Sequence, residues 1–211
     1  MPDVNTQIDR LVSLGYPALA GQSEDDFREL LAPLAKLADG PTDDERPGHA
    51  AYVVVVTRTL VDPHDTVPLL RLQGARGPLS KPGFVDPHHS DTGLASYQPL
   101  PELGVPDVPA YLLVDVERGE EFCGVTPEEA LPVIRGRGRT PLTIDEGIAL
   151  ATQFPALLEK NKCFMLSGSR RHDRRVPAMW ISERAPKLGW CWDGNPHTWL
   201  GVASAAGRLA A

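Results

Sequence analysis

The stretch AYVVVVT, residues 51–57, decides the fold class, because it places four valines in a row with no polar residue between them. Valine is favoured in strands, and an apolar run without alternation is typical of a strand that is buried on both faces. We therefore predict a central strand here. Further strands are predicted along the chain at residues 67–72, 110–116, 162–166 and 176–181. Together they indicate one main sheet.

Helices are predicted on both sides of these strands. Apolar residues between Ile8 and Leu14 fall on one helical face, and Ser23 is an N-cap before an acidic first turn. Thr126 and Thr143 each begin a capping box, with glutamate three residues later. The irregular order of helices and strands favours an α+β fold. We predict a single mixed or antiparallel sheet of about five strands, with flanking helices and a helical N-terminal arm.

The polar stretch DGPTDDERPG, residues 39–48, predicts a linker. On this basis we divide the chain into two parts. Residues 1–48 form a helical N-terminal arm with an acidic linker, and residues 49–211 form the α+β main body.

Composition is that of an ordinary globular chain, with 211 residues, 42% of them hydrophobic and 23% charged. Cys123, Cys163 and Cys191 are odd in number and form no CxxC motif, so a disulfide framework and a zinc ribbon are both disfavoured. No run approaches the ~20 apolar residues that span a bilayer, and the first residues do not read as an export signal. We expect a cytoplasmic protein with no membrane partner and no bound metal or cofactor. The sequence does not indicate an oligomeric state.

The segment GWCWDGNPHTWLG, residues 189–201, holds three of the four tryptophans. Large amphipathic rings interleaved with polar groups are typical of a pocket wall, although the same rings could instead close a core near the C-terminus. His197 is a candidate catalytic residue. The candidate ligand-binding residues are Trp190, Trp192, Asp193, Asn195 and Trp199.

A second candidate loop is FVDPHHSD, residues 84–91, in which His88, His89 and Asp91 are the candidate catalytic residues. Adjacent histidines on an extended loop point in different directions, and no HExxH spacing is present, so this pattern does not favour a metal site. The alternative is a surface turn in which the aspartates bond nearby backbone amides.

Basic residues gather between Arg135 and Arg175, in a chain whose net charge is −7. Arg170 and Arg171 could hold an anionic ligand through bidentate contacts. Nucleic-acid binding is expected to be weak at most, because the overall balance is acidic. The alternative is a solvated loop whose arginines pair with acidic residues elsewhere.

Three phrases, TPLTIDEGIALATQFP (140–155), KNKCFMLSGSRR (160–171) and GWCWDGNPHTWLG, resemble a family of uncharacterised actinobacterial proteins, a domain of unknown function. The resemblance covers most of the chain. It implies no activity, cofactor or catalytic residue.

Two classes of function follow from these patterns. The first is a small-molecule site, binding or enzymatic, between the Trp190–Trp199 loop and the His88/His89 loop, for a ligand such as an anionic metabolite. The alternative is a module for protein or nucleic-acid interaction that uses the acidic N-terminal half or the Arg135–Arg175 basic elements.

Overall fold

The computed structural model of the chain describes residues 2–38, 46–74, 77–78, 81–87 and 93–211. Within these ranges the helices are α1 (Val4–Ser13), α2 (Tyr16–Leu19), α3 (Glu24–Leu31), α4 (Pro63–Thr66), α5 (Pro127–Gly136) and α6 (Ile144–Gln153). The strands are β1 (His49–Val56), β2 (Gln73–Gly74), β3 (Gly77–Pro78), β4 (Phe84–Val85), β5 (Gln98–Pro99), β6 (Ala110–Glu117), β7 (Thr140–Pro141), β8 (Cys163–Met165), β9 (Ser169–Arg170), β10 (Arg175–Ser182), β11 (Ala185–Trp192), β12 (Leu200–Val202) and β13 (Ser204–Leu209).

These strands form two main sheets. An antiparallel sheet of four strands has the order β1-β6-β13-β7, and a mixed sheet of five strands has the order β12-β8-β10-β11-β4. In the mixed sheet β12 runs parallel to β8 and β4 runs parallel to β11. Two further pairs, β2-β3 and β5-β9, are separate from both. The predicted α+β class is confirmed.

The prediction of a single sheet was wrong because the C-terminal stretch contributes a strand to each sheet. β12 ends at Val202 and β13 begins at Ser204, so the chain passes from the mixed sheet to the antiparallel one at Ala203. This stretch is rich in alanine and glycine, which are depleted in strands, so its sequence did not predict a strand. The predicted strand at 67–72 was also wrong. Pro68 lies there in a 3-10 turn instead.

β1 is buried on both faces, as the valine run predicted. Val53 and Val55 belong to the large core that both sheets share, while Val54 faces the N-terminal helices. The strand lies at the edge of its sheet, however, and not at its centre. The fully buried Gln7 of α1 covers that edge, because its Oε1 accepts from Val54 N at 2.9 Å and its Nε2 donates to Tyr52 O at 3.0 Å. A side-chain amide thus takes the place of a neighbouring strand.

The N-terminal helices form where the sequence predicted helix. The Ser23 side chain accepts from Asp26 N at the start of α3. Apolar residues of α1 and α3, among them Leu11 and Phe27, pack with Val54 in a second apolar cluster. The proposed division of the chain at residue 48 stays a prediction, and residues 39–45 lie outside the described part of the chain.

α5 and α6 begin with the predicted capping boxes, at Thr126 with Glu129 and at Thr143 with Glu146. α6 is buried along most of its length and packs against β1. It ends at Gln153, two residues before Pro155, which cannot continue the helical hydrogen bonds. None of the described helices is both long and apolar enough to cross a membrane.

Candidate functional site

A groove lies between α1, residues 69–73 and the C-terminal part of α6. Its volume is about 870 Å³. A second cavity, beside Arg58 and Asp145, measures about 10 Å³, which is room for roughly one water molecule. The residues that line the groove are Thr6, Asp9, Arg10, Ser13, Leu14, Leu69, Leu70, Arg71, Leu72, Gln73, Ala151, Thr152 and Pro155.

The apolar part of this groove lies where the two apolar clusters meet. Leu14 and Leu69 pack against the cluster of the N-terminal helices, whereas Leu70, Leu72 and Ala151 belong to or pack against the large core. The groove is positioned by helix and core contacts and not by a loop alone.

Two arginines line the groove, one from each side. Arg10 Nη1 donates to Thr152 O at 3.4 Å, and Arg71 Nη1 donates to Pro68 O at 2.6 Å and Leu70 O at 2.8 Å. Neither arginine forms an ion pair with a carboxylate of the described residues. Asp9, which also lines the groove, pairs with Arg28 at 2.6 Å.

The tryptophan segment does not form one loop. Trp190 and Trp192 belong to β11, which pairs with β10 through the two-residue turn Glu183–Arg184. Sequence reasoning missed this strand because Pro186 and Gly189 interrupt it. Trp192 is 42% exposed, while the Arg175 guanidinium lies over the Trp190 ring at 4.4 Å.

The other residues of this segment lie along the turn between β11 and β12. Asp193 accepts from Arg170 Nη2 at 3.3 Å, and Asn195 is exposed. The His197 ring lies 5.4 Å from that of Trp199, which packs edge-on against Trp180 at 6.2 Å.

Burial affects two basic groups near this turn. It lowers the pKa of the Arg170 guanidinium, although the charge of Asp193 acts to raise it, and it lowers the pKa of His197. Arg170 Nη1 and His197 Nε2 are both buried without a hydrogen-bond partner among the described residues. The Arg171 guanidinium pairs with Asp173 at 3.2 Å and lies over the Tyr97 ring at 5.6 Å.

The remaining candidate residues, His88, His89 and Asp91, lie outside the described residues. Whether their loop faces the tryptophan segment stays a prediction. In the part of the chain that is described, no three His, Cys, Asp or Glu side chains form a group that could hold a metal ion.

Most of the basic residues of 135–175 pair with carboxylates. Arg135 pairs with Glu102 at 2.8 Å, Arg137 with Glu121 at 2.6 Å and Arg174 with Glu128 at 2.9 Å. The arrangement agrees with the alternative of a solvated surface with internal charge pairing. It leaves little unbalanced positive charge there for a polyanion.

A charged cluster surrounds Asp115, a residue of β6 with a φ of 50°. Its carboxylate accepts from His49 Nε2 at 2.6 Å, from Arg46 at 3.0 Å and from Arg139. Burial would raise the pKa of Asp115, but the hydrogen bonds from these three residues outweigh it and lower the pKa to about 2. The cluster joins three parts of the antiparallel sheet, and His49 is buried, which suits a structural role.

A family model described as Family of unknown function (DUF5701) matches residues 10–211. The chain belongs to this family. No curated protein and no solved structure matches the chain.

Sequence reasoning missed the groove of this DUF5701 chain altogether. Arg10, Arg71 and Thr152 lie far apart along the chain and come together only through packing. Arg10 by itself looks like any arginine on the polar face of an amphipathic helix. No local motif marks these residues, so only the tertiary structure reveals them.

Proposed function

We propose that this protein binds a small, largely apolar molecule in the groove between α1 and residues 69–73. The observation that carries the proposal is the groove itself, with a volume of about 870 Å³ and walls that include Leu14, Leu69, Leu72 and Pro155. Pockets for small ligands typically measure about 300–1,000 Å³ and combine apolar walls with a few polar groups.

The proposal keeps the class of function that the sequence predicted, which is small-molecule binding, and gives it a different place. The groove favours a small molecule over a protein partner because its volume of about 870 Å³ matches that of small-ligand pockets. Protein partners usually require a larger interface, of about 800 Å² on each side.

A neutral fluorophore tests the proposal. Phenylnaphthylamine, whose emission rises in apolar surroundings, is titrated into the wild-type protein and into Ser13→Trp, which places a bulky ring at the groove wall. We expect saturable binding to the wild type and binding weakened about tenfold or more in Ser13→Trp. Asn5→Trp is the matched control, because Asn5 is exposed on the same helix and does not line the groove.

Two outcomes would contradict the proposal. Absence of saturable binding would show that the groove does not take a small apolar molecule. A dimer of the wild-type protein that Ser13→Trp converts to a monomer would show that a second copy of the chain fills the groove.

We propose the turn that follows β11 as a second candidate site, because His197 Nε2 of this turn, and Nη1 of the Arg170 that pairs with Asp193, are buried without described partners. Unsatisfied buried polar atoms are rare, and a ligand atom could satisfy them. A panel of anionic metabolites should shift the tryptophan emission of the wild type but not of His197→Ala. An unchanged emission spectrum across the panel would exclude this second site.

A further inference from the structure

We infer that the ligand of the groove carries one anionic head group, a carboxylate or a phosphate, which Arg10 and Arg71 bind while its apolar part lies along the leucines. This inference rests on the proposed function and specifies the chemistry of its ligand. It follows from the way in which positive charge is distributed over the molecule.

Most described arginines lie within 4.0 Å of a carboxylate, as is expected in an acidic protein. This holds for Arg28, Arg46, Arg58, Arg118, Arg135, Arg137, Arg139, Arg170, Arg171, Arg174, Arg175 and Arg208. Among the described arginines, Arg10, Arg71 and Arg184 have no such ion pair. Two of these three line the same groove.

The two groove arginines are held in place but retain donors. Toward the described residues each donates through Nη1 alone, and only to main-chain carbonyl oxygens. A guanidinium has five N–H donors in a fixed fork, so Nη2 and Nε of both side chains remain for a ligand. The bond from Arg10 to Thr152 O is long at 3.4 Å and therefore weak.

The surroundings of the two side chains strengthen such a contact. Both arginines are partly buried, and apolar residues, namely Leu14, Leu69 and Leu72, line the same groove. A charge-assisted hydrogen bond at the edge of an apolar wall is screened less than one on an open surface. Asp9, the one carboxylate in the lining, is already neutralised by Arg28.

The test compares two fluorophores with nearly the same rings, neutral phenylnaphthylamine and its sulfonate analogue anilinonaphthalenesulfonate. We expect the wild type to bind the sulfonate about tenfold more tightly than the neutral compound at low salt. Arg10→Gln and Arg71→Gln should each reduce this preference, and the double variant should abolish it while still binding the neutral compound. Arg184→Gln, on the hairpin turn, is the matched control and should retain the preference.

The outcomes separate the inference from the proposed function. Neutral binding that Ser13→Trp blocks, with no preference for the sulfonate or with a preference that survives the double variant, overturns the inference and leaves the proposed function intact. If neither fluorophore binds, the proposed function fails and the inference fails with it. Retained neutral binding by the double variant also shows that it is folded.

Discussion

At the scale of single residues, Asp115 shows how a strained position is stabilised by charge. An aspartate with a φ of 50° is tolerated better than most residues, because its short polar side chain can accept hydrogen bonds nearby. Here Arg139, His49 and Arg46 all donate to it. The carboxylate thereby connects β1, β6 and the residue that precedes β7.

This cluster predicts a loss of stability in acid. The pKa of Asp115 is lowered to about 2 in the folded protein, below its ordinary value of 3.8. The ionised carboxylate therefore stabilises the folded state above about pH 4, and this contribution is lost as the pH falls toward 2. It amounts to at most about 2 kcal/mol, reduced by solvent screening because 33% of the side chain is exposed.

The measurement is urea unfolding of the wild type and of Asp115→Asn across this pH range. Asparagine also tolerates positive φ, so the variant removes the charge without adding backbone strain. The difference between the two free energies of unfolding should shrink as the pH falls from about 5 to about 2. A difference that stays constant would show that the charge of Asp115 does not stabilise the fold.

At the scale of elements, α5 and α6 begin with the same capping box but bury it differently. Glu129 of α5 bonds only to Thr126 among the described residues. Glu146 of α6 is fully buried and also accepts from Tyr111 Oη at 2.6 Å and from Arg208 Nε at 2.5 Å. Burial raises the pKa of Tyr111 well above its usual value, and the charge of Glu146 raises it further. Glu129 thus makes only a local contact, whereas Glu146 connects α6 to β6 and β13.

We therefore predict unequal costs for the same substitution. Glu129→Ala should lower the free energy of unfolding by about 1 kcal/mol or less, because only the reciprocal half of the capping box is lost and Thr126 still caps α5. Glu146→Ala should lower it by about 3–5 kcal/mol, because it leaves the buried Arg208 guanidinium without its partner. Chemical denaturation of both variants tests this expectation. Equal costs would mean that the buried network does not depend on Glu146.

The β10–β11 hairpin turn predicts a gain in stability. Glu183 and Arg184 have φ values of 52° and 66°, as the central residues of a type I′ turn do. Replacing them by Asn-Gly, the residues that this turn prefers, should raise the free energy of unfolding by about 1 kcal/mol. Asn161→Gly is a control at another positive φ of 65°, where asparagine is already favourable. A loss of stability in the Asn-Gly variant would reveal side-chain contacts of Glu183 or Arg184.

At the scale of the whole molecule, the two main sheets are held together by a close backbone contact. A Cβ on Gly201 of β12 would lie 2.2 Å from Gly119 O, in the turn that follows β6. Val202 N also donates to Gly119 O across this contact, at 3.3 Å. The sheets can approach so closely only because neither position carries a side chain.

Gly201→Ala should therefore destabilise the protein by about 1–3 kcal/mol, because backbone atoms, unlike a flexible side chain, have to move. Gly207→Ala in β13 is the matched control. A Cβ there meets no atom within 4 Å, so its stability should be unchanged or slightly raised. Thermal and urea unfolding compare the two, and a wild-type stability for Gly201→Ala would contradict the close contact between the sheets.

Features with local causes could be predicted from the sequence. The valine run of β1, the caps at Ser23, Thr126 and Thr143, and the end of α6 before Pro155 all depend on residues within one or two helical turns of each other. Their physical chemistry is that of side chains near their own backbone, so the α+β class followed from it.

The tertiary structure alone decided the features that join distant residues. Val53 and Val54 look equivalent in sequence, yet they pack in different apolar clusters. Their strand lies at the edge of its sheet, where Gln7 bonds to the free backbone. The alanine-rich end of the chain enters two sheets because each had a strand edge to pair with. The groove exists because α1, residues 69–73 and α6 pack together, which places Arg10 beside residues some sixty and more positions away. Packing brings such residues together, and no local sequence pattern predicts which residues will meet.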